Sequence, residues 1–170
     1  MITNVTLTTK EKFFLEDQKN HEEICIKKYS DYANSASDPE LKNILNSIKK
    51  QEEEHLNSVN QLLSGKVPSM SNSQGGSSQS GNSTSGQGTS NQTQSSQSKV
   101  TSGSSKSNDK ELCTDLLMTE KFLSGAYDTA IFEFKDPQVR DVLNHIQKEE
   151  QKHGESIYKY MESKGLYNPK

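Results

Sequence analysis

Apolar side chains recur at spacings of three and four along two stretches of this chain, separated by a segment with no such pattern. In the first stretch the seams read Leu15, Gln18, Glu22, Cys25, Tyr29, Tyr32, Ala36 and then Leu41, Leu45, Ile48, Glu52, His55, Val59, Leu62. In the second they read Cys113, Leu116, Glu120, Leu123, Tyr127, Ala130, Phe134 and then Val139, Leu143, Ile146, Glu150, His153, Ile157, Tyr160. Residues so spaced share one face of a helix, which predicts four amphipathic helices over 9–36, 39–64, 109–134 and 137–164. Local signals agree. Thr8 with Glu11 forms a capping box, and Asn108 with Glu111 offers a similar start to the third helix. Asp38-Pro39 and Asp136-Pro137 supply an N-cap and a first-turn proline, while Gly65 and Gly165 stand where C-caps are expected.

The separating segment changes how composition is read. Only 28% of the residues are hydrophobic and 6% aromatic, yet Ser71 to Ser98 contains neither an apolar nor a charged side chain and carries most of that dilution. Nothing there can offset the entropy of ordering, so 67–108 is expected to be a disordered Ser/Gly/Gln/Asn-rich linker. The flanking hairpins, 8–66 and 109–166, are each about 60 residues long, too small to be comfortable alone, and should share one core. The expected fold is all-α: a four-helix bundle of two helical hairpins.

The hairpins repeat one another. At an offset of 98, "DPELKNILNSIKKQEEEH" (38–55) lies over "DPQVRDVLNHIQKEEQKH" (136–153) with 8 of 18 positions identical. The same offset pairs Glu22 with Glu120 and Tyr29 with Tyr127.

All four seams carry a glutamate where a core residue belongs. Glu22 lies fifteen residues before the first turn and Glu52 fifteen after it; Glu120 and Glu150 flank the second turn likewise. At ~1.5 Å per residue the four stand at one level, with His55 and His153 one turn along on the same faces. A lone Glu-x-x-His is usually a solvated helix surface, but four carboxylates buried together need compensation, at several kcal/mol per unpaired ion. No seam position is Lys or Arg. Two divalent cations would balance the charge. One Glu from each of two helices with Glu-x-x-His from the other two is the di-iron or di-manganese carboxylate arrangement of ferritin-like bundles. The expected metal ligands are therefore Glu22, Glu52, His55, Glu120, Glu150 and His153, and the expected metal is iron or manganese. Glu53, Glu54, Glu149, His21 and His145 are assigned to the surface. Cys25 and Cys113 are read as core residues, as are Tyr29 and Tyr127.

Net charge is −3 with no basic cluster, which argues against nucleic acid, and no apolar run approaches the roughly 18 residues of a membrane span. The start, "MITNVTLTTKEKFF", has no signal-peptide character.

Over both hairpins the chain resembles the ferritin-like superfamily. Over 109–167, through "DLL..EK", "Y.TA..E", "P.VR..L..I..EE" and a final "GLY", it resembles the coat F domain of CotF-type spore coat proteins. That resemblance implies a protein made in the mother-cell cytoplasm and laid down in the spore coat among other coat proteins. The ferritin-like pattern leaves open a di-metal oxidoreductase that protects the spore: a ferroxidase, or a rubrerythrin-like or catalase-like peroxide consumer. A linker of some 42 residues, with a reach of about 36 Å, permits the crossover a ferritin-like bundle needs, and equally a homodimer by hairpin exchange.

Overall fold

The computed structural model describes residues 3–69 and 102–167. Most of the expected linker lies outside the described residues. Four helices make up nearly all of the rest: α1 (Thr9–Ser35), α2 (Pro39–Leu63), α3 (Ser102–Ile131) and α4 (Pro137–Ser163). They form the all-α bundle of two hairpins that the seams predict. None of them is long and apolar enough to cross a membrane.

The helix ends follow the local chemistry. The Glu11 amide donates to Thr8 Oγ1 (3.2 Å) while the Thr8 amide donates to Glu11 Oε2 (2.7 Å), completing the capping box. Asp38 and Asp136 accept the first free amides of α2 and α4, each followed by proline. Gly65 and Gly165 adopt φ of 77° and 67°, the left-handed conformation that ends a helix without a Cβ clash. After Gly165 the Leu166 amide returns to the Met161 carbonyl at 2.7 Å, closing a Schellman turn. Gly65 instead leads into a two-stranded antiparallel pair not expected from the sequence, β1 (Thr3–Asn4) with β2 (Lys66–Val67).

Two acidic side chains give the bundle its topology. Besides capping α1, Glu11 accepts the amide of Lys135 in the α3–α4 turn through Oε1 (3.1 Å). Its repeat counterpart, Asp109, accepts the amides of Ser37 (2.8 Å) and Asp38 (3.0 Å) in the α1–α2 turn. Each hairpin's first helix thus begins against the other hairpin's turn. The order is up, down, down, up, with α3 starting at the far end of the bundle from the end of α2. This is the crossover expected of a ferritin-like bundle. It also corrects the expected start of the third helix. Asn108 is not its cap; the helix begins at Ser102, and the Asn108 side chain donates from Nδ2 to the Ser35 carbonyl at 3.2 Å. The polar side chains at 108 and 109 serve the neighbouring turn rather than their own helix.

The seam residues are buried as expected, with one exception. Ala33 rather than Tyr32 faces the core near the end of α1; a straight helix drifts from a strict 3,4 repeat. Tyr32 sits at the edge, donating to Asp115 at 2.8 Å. Apolar side chains gather in two clusters, one around Tyr29, Leu45 and Leu116, the other around Leu15, Tyr127 and Leu143. Between them lies a polar layer.

Candidate metal centre

The layer consists of the six residues named from the seams. Each of the four helices contributes its mid-seam glutamate, and α2 and α4 add a histidine three residues on, one helical turn along the same face. Glu22, Glu52, His55, Glu120, Glu150 and His153 are all between 0% and 3% exposed. Nδ1 of His55 lies 3.1 Å from Glu150 Oε1, 3.2 Å from Glu52 Oε2 and 3.9 Å from Glu22 Oε2. Nδ1 of His153 lies 3.3 Å from Glu52 Oε1, 3.5 Å from Glu150 Oε2 and 3.7 Å from Glu120 Oε2. The imidazoles stack at 5.6 Å between centroids.

The donor atoms fall into two overlapping groups: Glu22, Glu52, His55 and Glu150, and Glu52, Glu120, Glu150 and His153. Within each, one donor atom per residue lies within 4.8 Å of the others. Ligands bound at about 2.0–2.2 Å to one cation stand at most about 4.4 Å apart, so a small contraction would bring either group to bonding distance. Glu52 and Glu150 belong to both groups, the position of bridging carboxylates. Glu22 with His55, and Glu120 with His153, flank them.

Hydrogen bonding leaves this layer incomplete. Tyr29 donates to Glu120 Oε1 and Tyr127 donates to Glu22 Oε1, each from the opposite hairpin. Seven buried atoms still lack a partner: Glu22 Oε2, Glu52 Oε1, Glu120 Oε2, both Glu150 oxygens and both nitrogens of His153. His153 Nδ1 approaches three carboxylates without hydrogen-bond geometry to any. No Lys or Arg ion pair reaches the six among the described residues. Donor type, spacing and orphaned atoms all fit a pair of divalent cations.

Electrostatics describe what the layer does without a cation. Burial, then the charges of Glu52 and Glu150, raise the Glu22 carboxyl well above its ordinary range. Burial also pushes Glu120 up to about 8, reinforced by Glu150 and Glu52. Burial acts the same way on Glu52, but His153 and His55 outweigh it and hold that carboxylate at about 2. For the imidazoles burial favours the neutral form, yet the surrounding carboxylates raise His55 well above its usual value and His153 to about 11. With Glu150 also lowered against its burial by the two histidines, the cation-free layer holds two protonated carboxyls, two carboxylates and two imidazoliums. It is neutral. Two divalent cations with four carboxylates and two neutral imidazoles would be neutral as well.

Three features of the site escaped the sequence reading. Glu149, assigned to solvent, is only 18% exposed, and its Oε2 lies 2.9 Å from Nε2 of His55, on the side facing away from the layer. It flanks the α4 seam, where only the packing of α2 against α4 shows its target. Tyr29 and Tyr127 are core residues as expected, but their hydroxyls serve the carboxylates. Gly154 lines a cavity of about 490 Å³ along α3 and α4 that reaches Glu120 and Glu150. Cys25 and Cys113 are buried and unpaired with each other, as core residues should be. Burial, then the four glutamates, raises the Cys25 thiol, so it offers no thiolate to the layer.

Residues 108–170 match the Coat F domain family. The chain is 34% identical over 65 residues to the uncharacterized protein YusN of Bacillus subtilis (strain 168), a match covering 38% of this chain and 59% of that protein. No solved structure matches. The second hairpin is thus similar to the Coat F domain, and the chain spans less than two thirds of the length of the relative it matches.

Proposed function

We propose that this protein is a spore coat component, made in the mother cell and laid down among other coat proteins, whose bundle holds two divalent cations, iron or manganese. Glu22, Glu52, His55, Glu120, Glu150 and His153 are the ligands, with Glu52 and Glu150 shared between the two ions. One observation carries the metal reading. Seven buried polar atoms without partners, on five of these six side chains, lie between the two apolar clusters of the core. A layer kept only for structure would be better served by leucine. The Coat F domain supports the location. Elemental analysis of protein recovered from spore coat extract tests both parts. Two equivalents of iron or manganese per chain are expected. Absence from the extract removes the coat role, and metal-free protein that stays metal-free after incubation with Fe(II) or Mn(II) removes the centre.

The Gly154 cavity favours a second reading, a di-metal oxidoreductase that consumes an oxidant on the spore's behalf, because Glu120 and Glu150 are among the residues that line it. Loading with Fe(II) under anaerobic conditions and then adding dioxygen or hydrogen peroxide tests it. Turnover is expected on this reading, and an unchanged absorption spectrum with no oxidant consumed rules it out.

A further inference from the structure

The 98-residue repeat gives every position in one half of the centre a counterpart in the other, so departures from symmetry are legible. Two of them meet at the polar layer. Behind His55, Glu149 accepts from Nε2 at 2.9 Å, and His145 Nε2 stands 3.5 Å from the same carboxylate oxygen. The counterpart of Glu149 is Gln51, and that of His145 is Ser47. Gln51 does not take up the role: Nε2 of His153 is buried with no partner. The second departure is one residue further along α4, where Gly154 stands opposite Leu56 of α2. A Cβ placed on Gly154 would lie 3.8 Å from the Glu120 Cβ, in ordinary contact. The missing side chain therefore leaves space beside Glu120, in the cavity that Glu120 and Glu150 help to line.

We propose that the two cation positions are unequal: the Glu22–His55 position holds its ion tightly, and the Glu120–His153 position holds an exchangeable ion that enters and leaves through the Gly154 cavity. This rests on the two-cation reading above. An imidazole that ligates through Nδ1 must carry its proton on Nε2. A carboxylate accepting that proton fixes the tautomer, holds the ring in the ligating orientation and makes Nδ1 a stronger donor. Removing such a partner weakens metal binding about 10- to 100-fold. His55 has this support and His153 lacks it. Glu149 is thus a positioning residue, acting through His55.

The test is a calorimetric titration of Co(II) into metal-free full-length chain, with E149Q and Q51E alongside, and release of bound Co(II) to a chelator followed by absorbance. Two ions with affinities at least about tenfold apart are expected in the parent chain. E149Q should lower the tighter one about 10- to 100-fold and leave the weaker unchanged, while Q51E should raise the weaker. G154L, which restores the side chain found at Leu56, should slow release of the weaker ion with two ions still bound. G154A, which fits without displacement, carries the same comparison if G154L does not fold. No Co(II) binding by the parent chain removes the two-cation reading and this inference with it. Two equal affinities, an E149Q loss spread over both ions, or unchanged release from every folded Gly154 variant removes the inequality alone.

Discussion

The phenol of Tyr127 donates its hydrogen to a carboxylate oxygen of Glu22 on the other hairpin. The repeat makes the same contact in reverse, from Tyr29 to Glu120. The two flanking carboxylates are therefore held across the hairpin interface, and the layer ties the halves together.

Y127F and Y29F each leave one buried carboxyl oxygen without its donor. Each should destabilise the metal-free protein by about 1–3 kcal/mol, by similar amounts because the contacts are related by the repeat. Urea denaturation of the two variants checks this. A loss confined to one of them would show that the halves do not share the load.

Proton linkage predicts opposite pH responses for the metal-free and loaded forms. Between the ordinary carboxyl value of 4.5 and about 8, folded Glu120 keeps a proton that the unfolded chain releases. His153 does the same between 6.5 and about 11. The folded state binds more protons across both windows, so the metal-free protein loses stability as pH rises above about 5. Glu52, held at about 2, adds a loss as pH falls below 4.5. Cations replace those protons, so affinity for metal should rise with pH. At neutral pH loading both positions should release about four protons, two from His55 and His153 and two from Glu22 and Glu120. Thermal unfolding across pH and titration in weak buffer measure both effects.

Shared and flanking ligands predict different losses. E52Q or E150Q removes a charge from both donor groups and should impair both ions, whereas E22Q or E120Q should impair one. Metal counted per chain after dialysis against dilute Mn(II) separates the two patterns.

Asp109 predicts a stability effect remote from the centre. D109A would orphan the amides of Ser37 and Asp38 at the α1–α2 turn, for a loss of about 2–3 kcal/mol with metal content unchanged. Denaturation together with metal analysis tests both halves of that expectation.

The helices, the hairpins and the six convergent side chains were legible because each leaves a periodic trace. A glutamate in an apolar seam stands out at a spacing of three or four, and a turn midway between two of them sets their common level. What the periodicity does not carry is the relation between hairpins. Glu149 flanks its seam, and only the approach of α4 to α2 turns it towards His55. Asn108 reads as a helix start because it caps well in isolation, yet it and Asp109 bind a turn that is far away in sequence. The short β1–β2 pair joins segments more than sixty residues apart, with two residues in each strand, too few for alternation to register.

Each donor group draws on both hairpins, since Glu150 completes the one around Glu22 and Glu52 completes the one around Glu120. A hairpin by itself is therefore an open trough that can present carboxylates but cannot enclose an ion. Two identical copies of the second hairpin, docked face to face, would restore four acids and two imidazoles, with true rather than approximate dyad symmetry. In such an assembly Glu149 would stand behind both histidines, and the difference between the two ions would vanish.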